Sequence, residues 1–246
     1  MTEKILNTDP NNNGCNLWTI SKGTGTPVIL INGGPGCSDY LWGVSELIED
    51  QCQVVRFEPR GCGRSDWDGN YDMDTMIADL DFVRASYGFE RCILIGHSFG
   101  PDVGLAYTIK HREHVMALIG ISGGRIVNDR DWSETYERNK KERDEVNPVA
   151  KFHADPQVNP VGNKSRKAYI KRAELLKDIA ALDVPAMFIA GAEDIRPNWP
   201  IQQLAGLMGA KYVEIEAAAH CIWLTHGGEL RDLLRNAIAE ADYANE

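Results

Sequence analysis

Long hydrophobic runs are missing from this chain. No apolar segment among its 246 residues approaches the roughly 18 needed for a helical membrane span, so no membrane partner is expected. Basic charge is also in deficit, with 26 Lys and Arg against 36 Asp and Glu and a formal net charge of −10. Proteins that bind nucleic acid by neutralising phosphates need a basic face, so nucleic acid is not an expected partner either. Short basic stretches such as Lys140-Lys141 with Arg143 have acids among them, the make-up of a solvated helix face. The six cysteines (Cys15, Cys37, Cys52, Cys62, Cys92 and Cys221) include no CxxC and no paired metal-ligand spacing. No His/Asp/Glu cluster has ligand spacing. Residues 1–14 are polar, with neither a basic leader nor an apolar core of signal-peptide type. The expectation is a cytoplasmic protein with reduced thiols, no metal and no cofactor.

What is present is the 43% hydrophobic, 25% charged balance of a soluble protein with one large core. Residues 16–21 alternate like a strand and precede the turn cluster Lys22-Gly23-Thr24-Gly25-Thr26-Pro27. The segments flanking that turn read as antiparallel opening strands. Short apolar or alternating runs at 28–31, 53–57, 92–95, 115–121, 186–190 and 212–215 read as further strands, several fully buried. Helical spacing falls between them, at 40–49, 74–85, 99–111, 200–208 and 229–241, with Asp74 placed to cap the second. Strand–helix alternation of this kind implies an α/β fold, a mostly parallel sheet with helices on both faces. Polar, helix-forming sequence interrupts it. The expected organisation is a core of residues 1–122 and 182–246 with a short helical cap insertion at 123–181.

The chemistry starts at Gly96-His97-Ser98-Phe99-Gly100, a G-x-S-x-G pattern between a strand and a helix. That context matters more than the pattern: the hydroxyl must stand on a sharp turn, and flanking glycines let strand and helix close around it. The helix that follows aims backbone N–H groups and the positive end of its dipole at the reaction centre. Serine needs a base, and the base an orienting group. In this arrangement the chain order is Ser, then acid, then His. Asp194, in Gly191-Ala192-Glu193-Asp194, and His220, in Glu216-Ala217-Ala218-Ala219-His220, each follow a strand, where open α/β sheets assemble their sites. Ser98 is the expected nucleophile, His220 the general base then acid, and Asp194 the group that holds the imidazole. Glu193 is the competing acid. His97 is expected to line the pocket or pack under the turn, whereas His111, His114, His153 and His226 lack a strand-end position. The oxyanion donors are expected to be the N–H of Phe99 and one from Gly33-Gly34-Pro35-Gly36, with Gly34 preferred.

Asn32-Gly33-Gly34-Pro35-Gly36 resembles the His-Gly-Gly-Pro-Gly loop of proline iminopeptidases, serine enzymes of the α/β-hydrolase fold. Phe57-Glu58-Pro59-Arg60-Gly61-Cys62-Gly63-Arg64-Ser65 is similar to that family's Asp-Gln-Arg-Gly-Cys-Gly-Arg-Ser segment. The likeness extends through the elbow, the Asp194 loop and His220. It implies release of an N-terminal residue, preferentially proline, from a small peptide through an acyl-enzyme. Asn32 stands where the family has His, and Glu58-Pro59 where it has Asp-Gln. The insertion is also shorter than the family's cap, which supplies carboxylates for the substrate's amine. Acids and aromatics are nevertheless present in it: Glu134, Glu137, Glu142, Asp144, Glu145 and Glu174, with Trp132, Tyr136, Phe152 and Tyr169. Trp132, Glu134, Tyr136 and Glu137, with His97, are the candidate substrate contacts. Acids alternating with Lys and Arg are equally what a solvated helix shows.

Two further functions use the same features. An esterase or other small-acyl hydrolase would employ the same three residues, because one fold hosts many substrates. A non-catalytic ligand receptor would require the three to be out of register. Cys37, Cys62 and Cys221 lie in or beside the expected site loops, so thiol reagents could inactivate the protein without a catalytic cysteine.

Overall fold

The computed structural model describes residues 1–9, 14–127, 129–146 and 153–244. Eight strands form one sheet in the order β1-β2-β4-β3-β5-β6-β7-β8: β1 (Thr2–Asn7), β2 (Asn16–Lys22), β3 (Thr26–Ile31), β4 (Cys52–Phe57), β5 (Cys92–His97), β6 (Val115–Ile121), β7 (Ala186–Gly191) and β8 (Lys211–Ile215). From β4 across to β8 all neighbours run parallel. β1 and β2 are antiparallel to their partners. The sheet is thus the mostly parallel one that the alternation of elements implied.

Two features of the opening depart from the sequence reading. Residues 2–7 form an edge strand, although their polar composition carries no strand signal; with four exposed residues, β1 is held by its ladder to β2. The strands flanking the Gly23–Gly25 turn do not pair with each other either. β2 pairs with β4, which inserts between β2 and β3, because β3 lies in the sheet interior with parallel partners on both sides.

Strand alternation divides the core. Ile29 and Ile31 of β3 enter one apolar cluster with Val55, Phe57 and Leu94, whereas Val28 and Leu30 enter another with Val54, Ile93 and Ile95. Successive side chains of a strand point to opposite faces, so one four-residue run anchors both layers. The first face is covered by α2 (Met73–Ser86), α3 (Gly100–Lys110), α6 (Leu175–Ala180) and α7 (Trp199–Met208), and the second by the short α1 (Trp42–Ser45) and by α8 (Gly227–Ala244). Leu230, Leu234, Ala237, Ile238 and Ala241 make the buried stripe of α8, at the spacing of one helix face. Each fully buried aliphatic side chain contributes about 1.5–3 kcal/mol of transfer free energy.

The cap of α2 is Asp72 rather than Asp74: the Asp72 side chain accepts from the Thr75 N–H at 2.8 Å, and Asp74 lies in the first turn. Within the polar stretch, α4 (Arg130–Glu142) and α5 (Val158–Tyr169) lean on the loops at the carboxyl edge of the sheet. Asn159 Nδ2 donates to the Pro35 carbonyl at 3.0 Å. Asn139 Nδ2 donates to the Ile195 carbonyl at 3.1 Å, and Arg143, which follows α4, donates to the Asp194 carbonyl at 2.9 Å. α6 behaves differently, since Leu175 and Ile179 pack into the main core.

Candidate active site

Ser98 sits between β5 and α3 with φ +60°, a left-handed conformation that non-glycine residues seldom hold. Its neighbours explain how the turn persists. A Cβ at Gly96 would run into the backbone of Gly100 and Pro101, and one at Gly100 into the Ile31 carbonyl. Gly123, beyond β6, passes so close to Ser98 that a Cβ there would strike the Ser98 carbonyl. Ser98 N–H donates to the Ile121 carbonyl at 2.9 Å, continuing the β5–β6 ladder into the turn. Close backbone packing on three sides therefore holds the strained serine in place.

The loops after β7 and β8 bring Asp194 and His220 together. His220 Nδ1 lies 2.6 Å from Asp194 Oδ2, and both residues are buried. The other carboxylate oxygen, Oδ1, accepts from the Arg196 backbone at 2.9 Å and from its guanidinium at 3.2 Å. Burial alone would raise the Asp194 pKa, but the facing His220 and Arg196 outweigh it and hold the carboxyl below its ordinary value. Glu193, the competing acid, is more than half exposed and faces Arg143 at 3.5 Å.

His97 is a strut as well as a wall. Gly33 N–H donates to the Tyr40 hydroxyl at 2.8 Å, that hydroxyl lies 2.5 Å from His97 Nδ1, and His97 Nε2 lies 3.1 Å from the His220 carbonyl. A carbonyl only accepts, so Nε2 carries the proton. Burial, reinforced by the neighbouring His220, lowers the His97 pKa well below its ordinary value, so the ring is neutral. Nδ1 is then the acceptor and Tyr40 the donor. One polar chain ties the glycine loop to the histidine loop.

Ser98, His220, Gly34 and Phe99 all line one cavity of about 540 Å³. Gly34 has φ +117°, open to glycine and hostile to other residues. A Cβ there would crowd the backbone of Gly36 and Cys37. Phe99 is the cap of α3, so its N–H belongs to the positive end of the helix.

Of the expected substrate contacts, His97, Trp132, Tyr136 and Glu137 line this cavity. Glu134 does not: it is exposed and bonds to Arg130 at 2.6 Å, one turn back on the outer face of α4. Glu145 is bound to Arg196. Glu142, Asp144 and Glu174 are not among the lining residues, Tyr169 borders a smaller cavity, and Phe152 lies outside the described residues. Sequence reasoning passed over Arg125, Arg166, Lys167 and Arg196, all of which line the cavity. Arg125 follows a strand end, the criterion that found Asp194 and His220, so the signal was available. Arg166 and Lys167 come from α5, where only the tertiary packing sets the facing side. Glu145, Asp194 and His220 offer ligand atoms within 4.8 Å of one another, but Arg196 bonds to both carboxylates and already supplies their cation.

This sheet order, strand-borne elbow and strand-end partners define the α/β-hydrolase fold, and the chain has that fold. A family model for the alpha/beta hydrolase fold matches residues 26–144. In sequence the chain is similar to proline iminopeptidases. It is 33% identical over 107 residues to that of Saccharolobus solfataricus, a match spanning 42% of this chain and 34% of the relative. Thus only about a third of that relative's length is matched. Among solved structures, a proline iminopeptidase of Mycobacterium smegmatis superposes with TM-score 0.77 at 14% identity, covering 100% of both chains. A thermophilic esterase of Thermogutta terrifontis gives TM-score 0.77 at 19% identity, covering 98% of this chain and 99% of that one. Both structures share the fold. No helix among the described residues is long and apolar enough to cross a membrane.

Proposed function

We propose that this protein is a serine hydrolase that cleaves small esters or amides through an acyl-enzyme on Ser98. The observation that carries the reading is the buried 2.6 Å contact between His220 and Asp194, with His220 and the left-handed Ser98 on one cavity wall. In the proposed mechanism Ser98 Oγ attacks the acyl carbon while His220 Nε2 takes its proton. Asp194 holds the opposite ring nitrogen and balances the imidazolium. The N–H groups of Phe99 and Gly34 receive the negative charge that develops on the carbonyl oxygen. Collapse expels the leaving group, which takes the proton from His220. Water then attacks the acyl-enzyme by the same route and frees the acid.

A second reading, an aminopeptidase releasing an N-terminal residue, draws on the similarity to proline iminopeptidases and on Glu137 beside Trp132 and Tyr136 in the cavity. A fluorophosphonate is expected to label Ser98 in the native protein and not in Ser98→Ala. p-Nitrophenyl acetate and prolyl-naphthylamide, assayed side by side, separate ester from aminopeptidase activity. Failure of the fluorophosphonate to label Ser98, with neither substrate turned over, would overturn the hydrolase reading in favour of a ligand receptor.

A further inference from the structure

The cavity above Ser98 is basic in a chain whose net charge is −10. Its described lining holds Arg125, Arg166, Lys167 and Arg196 against a single acid, Glu137. Two of these cations have other commitments: Arg196 bonds to Glu145 and Asp194, and Arg166 lies 3.9 Å from Asp102. Lys167 is exposed to solvent.

Arg125 is different. It sits just past β6, on the loop that closes against Ser98 through Gly123. Its backbone N–H donates to buried Asp102 at 2.7 Å, which anchors the residue. Its guanidinium lies over the Trp132 ring with Cζ 4.3 Å from the centroid, and Trp132 in turn stacks on Tyr136 at 5.3 Å. Among the described residues no carboxylate comes within 4.0 Å of this guanidinium, and no acceptor takes a hydrogen bond from it. Burial, then Arg166 and Arg196, push its pKa down to about 10 against the opposing pull of Asp102, so it remains a cation at neutral pH. Stacking occupies a face of the planar group, while its N–H donors lie in the plane and remain for an oxyanion. A half-buried cation held rigidly in this way, with its donors unused, has the properties of a recognition group.

We infer that the substrate attacked by Ser98 carries a carboxylate, bound by Arg125 on its Trp132 platform. The inference rests on the serine-hydrolase reading and narrows it: the preferred substrate is a small ester or amide of a dicarboxylic acid, or one whose leaving group bears a carboxylate. A free amine, by contrast, would enter a cavity whose basic side chains outnumber its one acid.

The test compares two methyl esters of similar length, monomethyl glutarate and methyl pentanoate, by pH-stat. The native protein is expected to favour the monoanion in kcat/KM, and added salt should erode that preference. Arg125→Gln should lower the monoanion-to-neutral ratio by roughly 10- to 100-fold, mainly through KM, the range of a charge-assisted hydrogen bond. Arg125→Lys should restore part of it. Glutarate should compete with the monoester more strongly than inorganic phosphate does. An unchanged ratio in Arg125→Gln, equal loss on both esters, or stronger competition by phosphate would overturn the assignment. If the glutamine variant does not fold, the native protein's ratio and its salt dependence still decide: preference for the neutral ester refutes the inference. Fluorophosphonate labelling of Ser98 keeps the two readings apart. Labelling without anion preference sinks only the carboxylate site, whereas loss of labelling sinks both.

Discussion

Replacing Asp194 by Asn tests the proposed acid with the smallest change in shape. The existing contacts dictate how the amide must sit. On one side Oδ1 accepts from the Arg196 backbone at 2.9 Å and from its guanidinium at 3.2 Å. Two donors there demand an oxygen, so the amide nitrogen is left facing His220 Nδ1, where Oδ2 now lies at 2.6 Å. Nδ1 must then accept, the ring proton moves to Nε2, and the nitrogen meant to take the Ser98 proton is already protonated. A fixed wrong tautomer costs about 10⁴ in kcat where the same relay operates, or about 5.4 kcal/mol of barrier at 1.36 kcal/mol per decade. The stability cost should be smaller, about 1–3 kcal/mol, because Glu145 still neutralises Arg196. The assay is kcat on p-nitrophenyl acetate, with the rate of fluorophosphonate labelling and a thermal melt alongside. Glu193→Gln is the control, since that exposed side chain faces Arg143, and its kcat should stay within about twofold, as expected of a surface change. An Asp194→Asn protein that folds and keeps kcat within about tenfold would refute the tautomer argument.

Two other predictions rest on buried groups. Burial pushes the Cys37 thiol up to about 11 and the Cys221 thiol up to about 12; against an ordinary 9.0, the thiolate at pH 7 falls by about 100-fold or more. Iodoacetamide should therefore inactivate the native protein far more slowly than it alkylates a free thiol, and inactivation at the free-thiol rate would contradict this. Burial works to raise the Glu58 pKa, but hydrogen bonds from Arg64 and from the Asp39 backbone outweigh it and leave it below the ordinary value. A depressed carboxyl contributes stability that is complete above the unfolded pKa and lost as pH falls through the folded one. Glu58→Gln should thus cost about 1–3 kcal/mol at pH 7, and urea midpoints should show the gap to the native protein narrowing toward about pH 3. A gap that widened on acidification would reverse the assigned sign.

The legible parts of this protein are those governed by neighbours in the chain. The apolar runs of β3, β5 and β6 announce buried strands because a strand covered on both faces has no polar side to show. The elbow is legible because its pattern is contiguous in the chain: Gly96 is demanded by contacts with Gly100 and Pro101 of its own turn, although the demand for Gly100 comes from Ile31 at the end of β3. Asp194 and His220 could be chosen for the same reason, each standing a few residues beyond a strand, the apolar β7 for Asp194 and the mixed β8 for His220. β1 was not legible, since an exposed edge strand is ordered by the ladder to β2 rather than by its own composition.

By itself the sequence determined the fold class, the turn beneath Ser98 and the strand-end positions of Asp194 and His220, since periodicity and turn chemistry act over a few residues. Only the tertiary structure decided which side chains of α4 and α5 enter the cavity. Glu134 and Glu137 are one helical turn apart on α4, yet the first bonds outward to Arg130 and the second lines the cavity. The facing of a polar helix is set by what it docks against, and its own pattern of acids and bases leaves that open. The same docking gathers Arg125, Arg166 and Trp132 from separate elements into the cavity wall. The cavity's basic lining was therefore hidden in a sequence whose overall charge is negative.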